Sequence, residues 1–325
     1  MAIKVLKPGL SSTVQDGGRE GYYHLGIPPS GTLDRFGLAA ANLLTGNSPE
    51  TAALECTLTG PELLFEQDTL FAVSGAPMKL LLNGQPVPFN TCLRAKAGQQ
   101  LKIIGAPSGA RSYLAIAGGI DVPLILGSRS TYSLGSLGGY QGRRLQAGDT
   151  LPVTALCGHG PVGQQLPEEF TPAFPKHVEL RVVPGMYIHR LIPESVDNFF
   201  SDEWRVSSES DRTGYRFLDG RPLSFVERTP PFGAGSDPSN IVDACYPIGS
   251  IQIPAGRTPI ILHRDAVSGG GYMTLGTVVS SDLDILGQLP PGAKVQFTQV
   301  TLQQALDIRH TFQQKLQRLI TALSC

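Results

Sequence analysis

No Cys-x-x-Cys pair occurs in the 325 residues, and the five cysteines, Cys56, Cys92, Cys157, Cys245 and Cys325, form an odd, widely spaced set. That argues against a disulfide framework and for reduced thiols in a cytoplasmic setting. Charge of one sign is also missing, since 26 Lys plus Arg face 27 Asp plus Glu for a net charge of -1. No global field then draws the chain to nucleic acid or to an anionic membrane, and partners must be recognised locally. No stretch approaches the roughly 20 apolar residues of a membrane span. The N-terminus reaches Pro8 and Gly9 before any signal-peptide apolar region forms. The chain has no G-x-S-x-G elbow, no H-E-x-x-H and no G-x-x-x-x-G-K-[ST], so serine-hydrolase, zinc-peptidase and P-loop chemistry are not indicated. The six histidines are scattered and no metal site is expected. His24 and His263 remain candidate acid or base groups.

What the chain has in quantity is turn-formers. Its 38 Gly and 26 Pro punctuate short apolar runs such as Leu70 to Ser74, Met78 to Leu82 and Leu101 to Ile104, the strand-and-turn pattern of a mainly β protein. Asn83-Gly84 suits the two positive φ angles of a type I′ hairpin. A short helix is expected from Thr32 through Leu44, with Asp34 in its first turn. A C-terminal helix is expected behind the capping box of Thr301 and Gln304, with an apolar stripe of Leu302, Ala305, Leu306, Phe312, Leu316, Leu319 and Leu323. Between Thr154 and His177 the composition is that of a linker. The expected organisation is therefore a β-rich lobe over 1–155, a linker or long loop over 156–177 and a second β-rich lobe over 178–325.

Two motifs fail in context. Gly158-His159-Gly160-Pro161-Val162-Gly163 matches a dinucleotide fingerprint, but Pro161 and the proline-rich stretch after it cannot supply the helix that would hold a pyrophosphate. Met78-Lys79 lacks the second methionine of a biotin-accepting hairpin, so no covalently bound biotin is expected on this chain.

The unusual segment is GGIDVPLILGSRSTYSLGSLGGYQGRRLQAGD, Gly118 to Asp149. Its glycines allow close backbone approach, its hydroxyls include Ser130 and Thr131, and Arg129 and Arg143 offer planar forks for a carboxylate or phosphate. A small anionic ligand suits that chemistry; a long structural loop is the competing reading. Four further segments share its character. VQDGGREG carries Asp16 and Arg19, and IPPSGTLD carries Pro29 and Gly31. SDRTGYR sets Arg212 near Tyr215, and DAVSGGGY puts Gly270 and Gly271 between Asp265 and Tyr272. Loops of this kind on a rigid β scaffold are expected to converge on one polar site.

In order along the chain, VQDGGREGYYHLGIPPSGTLD, RSYLAIAGGIDVPLILGSRSTYSLGSLGGYQGRRLQAGD, SDRTGYR and GSIQIPAGRTPIILHRDAVSGGGYMTLGTVVSSDLDILGQLPPGAKVQF resemble the landmarks of the biotin-dependent carboxyltransferase-like family. That family includes KipA, allophanate hydrolase subunit 2 and the C subunits of ATP-dependent 5-oxoprolinase. The resemblance implies two cyclophilin-like β-barrel lobes and heteromeric partners, namely a KipI-like B subunit together with the A subunit of 5-oxoprolinase. With them the chain would convert 5-oxo-L-proline to L-glutamate, using ATP bound somewhere in the complex. It further implies that Gly138, Gly139, Gly270 and Gly271 present backbone donors and that Arg129, Ser130, Thr131, Arg143, Arg212 and Tyr215 hold the substrate. Asp265, Tyr272 and His24 would move protons, with Asp16, Arg19, Pro29 and Gly31 supporting the site. Two departures, Val267 to Met273 where the family usually reads Thr-Thr-Gly-Gly-Tyr-Pro and Thr213 where Met is common, leave a variant substrate open. A carboxyltransferase or allophanate-hydrolase role in urea metabolism and a KipI-antagonist binding role stand as alternatives.

Overall fold

A computed structural model describes residues 2–154 and 160–323. Cys157, Cys325 and the Gly158-His159 start of the fingerprint-like segment lie outside the described residues. The chain divides into two compact units, one of Met1–Arg19, Ser30–Phe174 and Gln314–Cys325, the other of Glu20–Pro29 and Pro175–Gln313.

The first unit contains β1 (Ala2–Lys7), β2 (Ser11–Gln15), α1 (Arg35–Leu44), β3 (Ala53–Thr57), β4 (Glu62–Phe65), β5 (Thr69–Gly75), β6 (Lys79–Leu82), β7 (Gln85–Val87), β8 (Leu93–Ala95), β9 (Gln100–Ile104), β10 (Arg111–Ile116) and β11 (Thr150–Pro152). One sheet runs β11-β1-β4-β9-β6-β7 and the other β2-β3-β10-β5-β8. Their inward residues share one core, in which Val5, Phe65 and Leu101 of the first sheet cluster with Val14, Phe71 and Leu114 of the second. Asn83 and Gly84 adopt φ of 48° and 78°, as a type I′ turn requires.

The structure shifts the start of α1. Asp34 is extended and caps the helix from outside, accepting the Gly37 N–H at 2.8 Å, so the helical residues begin at Arg35. Residues 160–174, read from sequence as linker or long loop, are bonded onto the first unit. The Cys92 N–H donates to Gln164 O at 2.9 Å, the Leu166 N–H donates to Asn90 O at 2.9 Å, and Phe170 is buried. Glu20–Pro29 belongs to the second unit, a membership that no composition change marks.

That second unit contains β12 (His177–Pro184), α2 (Pro193–Ser201), β13 (Glu203–Val206), β14 (Gly214–Leu218), β15 (Asn240–Cys245), β16 (Ser250–Gln252), β17 (Ile260–Leu262), β18 (Gly269–Tyr272), β19 (Thr274–Val278), α3 (Asp282–Gly287) and β20 (Lys294–Gln299). Seven strands close a barrel in the order β12-β19-β16-β17-β14-β13-β20, while β15 and β18 pair as a separate ribbon. Alternation along β20 turns Val295 and Phe297 inward, where Phe297 stacks on Phe199 of α2 at 4.6 Å between ring centres.

The C-terminal helix α4 (Leu302–Leu323) starts at the expected capping box, with the Thr301 N–H donating to Gln304 Oε1 at 2.8 Å and the Gln304 N–H to Thr301 Oγ1 at 3.2 Å. Its apolar stripe is only partly covered, because Ala305, Leu319 and Leu323 are buried while Leu302 and Leu306 are exposed. The mainly β class with a few helices holds. No described helix is long and apolar enough to cross a membrane.

Asp282, fully buried at the start of α3, accepts the Arg181 N–H and Nε, each at 2.9 Å, together with Nη2, and so pins α3 to β12. Asp282→Ala leaves the guanidinium without its partner and is expected to cost about 3 kcal/mol or more, measured by urea unfolding of the folded variant.

Candidate functional site

In the first unit the polar residues gather around Asp16, just beyond β2. Its Oδ1 accepts the Gly18 N–H at 2.9 Å, Ser128 Oγ at 2.6 Å and Ser130 Oγ at 2.5 Å, while its Oδ2 accepts the Arg129 N–H at 2.6 Å. The Asp16 N–H in turn donates to Ser130 Oγ at 3.0 Å. Four dipoles on one carboxylate make strong charge-assisted bonds and join the 128–131 loop to the end of β2. Thr131 completes the seam, its N–H and Oγ1 both donating to Val14 O at 3.0 Å. Arg19 is almost wholly buried and donates Nη2 to Ser130 O.

Gly138 and Gly139 lie over this loop with left-handed φ of 66° and 55°. A Cβ on Gly138 would sit 2.2 Å from Ser130 O, and one on Gly139 only 1.8 Å from Thr131 Oγ1, so both positions require glycine. The Gly139 N–H is occupied by Arg129 O at 3.1 Å. Gly31, at φ 84°, packs its bare Cα against the Asp16 turn, where a Cβ would meet Gly17 O at 2.9 Å; Pro29 is buried close before it in sequence.

The two arginines assigned to an anion in this loop meet protein acceptors instead. Arg129 donates Nε to Val122 O at 2.8 Å and Nη2 to Asp121 at 3.2 Å. Arg143 closes its fork on Asp149, with both bonds at 2.8 Å, and its hydrogen bonds hold the Asp149 carboxyl below the usual carboxylate range. These contacts make Arg143 a brace across the 143–149 turn.

The second unit holds a separate cluster. Arg212 and Asp265, drawn from different segments of the sequence, face each other, with Nε to Oδ2 at 2.8 Å and Nη2 to Oδ1 at 3.2 Å. His263, fully buried, accepts the Arg264 N–H at Nδ1 at 3.0 Å, which places its proton on Nε2, 3.3 Å from Leu283 O. Tyr215 lies inside the barrel, because alternation on β14 turns it inward and Arg216 outward, and its ring stands 5.8 Å from that of His263. That burial sets Tyr215 in the core rather than on a ligand surface. His24 is exposed on a short 3-10 turn, Tyr23–Leu25.

No motif in the sequence singles out its neighbour Tyr23. The Tyr23 hydroxyl is buried with no hydrogen-bond partner among the described residues. Burial pushes its pKa up to about 12, the Arg264 charge opposing and those of Glu20 and Asp265 adding to the shift. Tyr272 stands on the β15–β18 ribbon, 41 % exposed, and its N–H and C=O both bond the Tyr246 hydroxyl at 2.7 Å. Gly270 faces Ala244 in the ribbon and approaches the Tyr246 ring, where a Cβ would lie 3.0 Å from Cε2; Gly271 follows it in β18.

Residues 25–299 match the family model described as the carboxyltransferase domain, subdomain A and B. The chain is 36 % identical to the 5-oxoprolinase C subunit of Escherichia coli over 321 residues, covering 98 % of this chain and 97 % of that protein. It is 35 % identical to the urea amidolyase of Saccharomyces cerevisiae over 318 residues, 95 % of this chain but 17 % of that much longer protein. Among solved structures, the urea amidolyase of K. lactis superposes with a TM-score of 0.91 at 35 % identity, covering 98 % of this chain and 20 % of that one.

Two consequences of this geometry are measurable. Asp16→Ala strips the acceptor from Ser128, Ser130 and the Arg129 N–H and is expected to cost about 3 kcal/mol or more by chemical denaturation. Tyr23→Phe removes an unbonded hydroxyl and is expected to leave stability unchanged or raised at neutral pH. Because the folded pKa lies above the unfolded value, the unfolded chain loses this proton first. Stability should therefore fall between pH 10 and about 12 in the parent and fall less in Tyr23→Phe, read from unfolding midpoints across that range.

Proposed function

We propose that this chain, which belongs to the family of carboxyltransferase domains with subdomains A and B, is the C subunit of an ATP-dependent 5-oxoprolinase and acts with a KipI-like B subunit and with the A subunit of that enzyme. The observation that carries this reading is how much of each relative the match takes in. The chain matches the E. coli C subunit over 97 % of that protein, whereas it spans 17 % of the yeast urea amidolyase.

In the reaction proposed, the ring amide of 5-oxo-L-proline is activated at its oxygen by the terminal phosphoryl group of ATP, with ADP leaving. Water then adds to the amide carbon, the ring C–N bond breaks, phosphate departs and the freed nitrogen takes a proton to give L-glutamate. An oxygen gaining charge requires fixed donors, and losing one such donor in an acyl-type site costs about 2.7 to 4 kcal/mol. In this proposal the backbone of Gly270 and Gly271 supplies donors. Asp265, oriented by Arg212, moves the proton; Tyr272 and His24 complete the polar surface, and the Asp16 loop with Gly138 and Gly139 serves as scaffold. The anionic substrate would be drawn by local charge, since the chain is nearly neutral overall.

A second reading rests on the 0.91 TM-score with a urea amidolyase, and it makes the chain a carboxyltransferase part of a larger urea-metabolising assembly. Turnover separates the two. With the purified partner proteins, ADP release and glutamate formation should depend on 5-oxo-L-proline and on the presence of this chain. Asp265→Asn, which preserves the shape of the Arg212 contact, should lower kcat about 100-fold or more. Carboxyl transfer from carboxybiotin to urea, with no 5-oxoproline-dependent ADP release, would establish the second reading instead.

A further inference from the structure

Several buried or half-buried arginines close on a carboxylate. Arg111 pairs with Glu55, Arg143 with Asp149, Arg181 with Asp282 and Arg212 with Asp265. Arg190 and Arg228 do not, and they are neighbours. Arg190, 9 % exposed at the end of the 3-10 turn Ile188–Arg190, donates Nη1 to Asn240 O at 3.0 Å and Nη2 to Pro238 O. Arg228, partly exposed, donates Nη2 to the same Asn240 carbonyl, and its Nε is buried with no hydrogen-bond partner among the described residues. The two segments are held side by side, with the Val226 N–H donating to Arg190 O at 2.8 Å and Leu191 bridged to Phe225.

Two guanidiniums thus converge on one carbonyl oxygen, and among the described residues no carboxylate pairs with either. Burial first, and then the like charge of Arg228, lowers the pKa of Arg190, so the fold works against this arrangement rather than gaining from it. A neutral backbone carbonyl does not offset two cations; a polyvalent or bidentate anion does. The pair sits at the foot of the β15–β18 ribbon, where Asn240 lies opposite Tyr272.

We propose that Arg190 and Arg228 form an anion site in the second unit that takes the carboxylate or phosphoryl group of a small ligand beside Asn240. The site does not rest on the reaction assigned above and needs no partner protein to bind. Titrating the purified full-length chain with inorganic phosphate in one arm and 5-oxo-L-proline in the other, at ionic strength held constant with sodium chloride, reads it by calorimetry and by melting temperature. Saturable one-site binding beyond the chloride control is expected in at least one arm, phosphate marking a phosphoryl site and 5-oxoproline a carboxylate site. In Arg228→Gln the affinity should fall at least tenfold while the anion-free melting temperature holds or rises, because a like charge has been removed. Arg228→Met, which keeps the packing of the stem, gives the same reading should the Gln variant fail to fold. The proposal is overturned by no binding above chloride in either arm, or by an affinity that neither substitution weakens. A several-degree loss of anion-free melting temperature in both variants would likewise overturn it, by making the pair a structural clamp on the 238–240 carbonyls.

Discussion

The carboxylate of Asp16 is the constraint on which the glycine-rich half of the chain depends. It is satisfied by dipoles, two serine hydroxyls and two backbone amides, all supplied by its own turn and by residues 128–130. Once those bonds form, Ser130 and Thr131 are fixed against β2, and the surface they present leaves room for backbone alone. That is why Gly138 and Gly139 follow in left-handed conformation, and why the long segment from Gly118 to Asp149 is ordered despite having so little regular structure. The loop therefore acts as scaffold, its hydrogen-bonding capacity directed largely inward.

Arginine chemistry divides in the same way. The sequence marks arginines by their company, next to glycines, hydroxyls and aromatics, and that company does not reveal which acid lies across the fold. Arg143 meets Asp149 six residues on, and Arg212 meets Asp265 from a different strand connection. In the second case the two partners are both residues that the sequence reading assigned to the site, and they meet each other. In the first the contact removes the fork from any ligand. Arg190 and Arg228 carry no such mark because their surroundings, IHRLIP and VERTPP, read as ordinary turn sequence.

What was legible follows from how local each signal is. The Asn83-Gly84 turn and the Thr301–Gln304 capping box are determined within four residues, and both form as expected. The mainly β class follows from turn density and short apolar runs, which are properties of composition. The start of α1 departs from expectation because Asp34 favours a cap over a first-turn position, a choice made by the Gly37 N–H it can reach. Tyr215 departs because a polar-looking motif spans a strand whose alternation turns this ring into the core. The allegiance of Glu20–Pro29 depends on contacts more than two hundred residues away, such as Glu20 with Arg264, and no local pattern encodes it.

A net charge of -1 conceals how charge is arranged within the fold. Positive and negative charges nearly cancel in sum, so the long-range field is weak and steering of a charged ligand is correspondingly modest. Under that condition, recognition of a small anion falls to places where matching fails at short range. A pair of guanidiniums without a carboxylate partner among the described residues is such a place, and its strength comes from geometry and partial burial rather than from total charge. In a chain so nearly neutral, the informative arginines are those that the fold leaves unmatched.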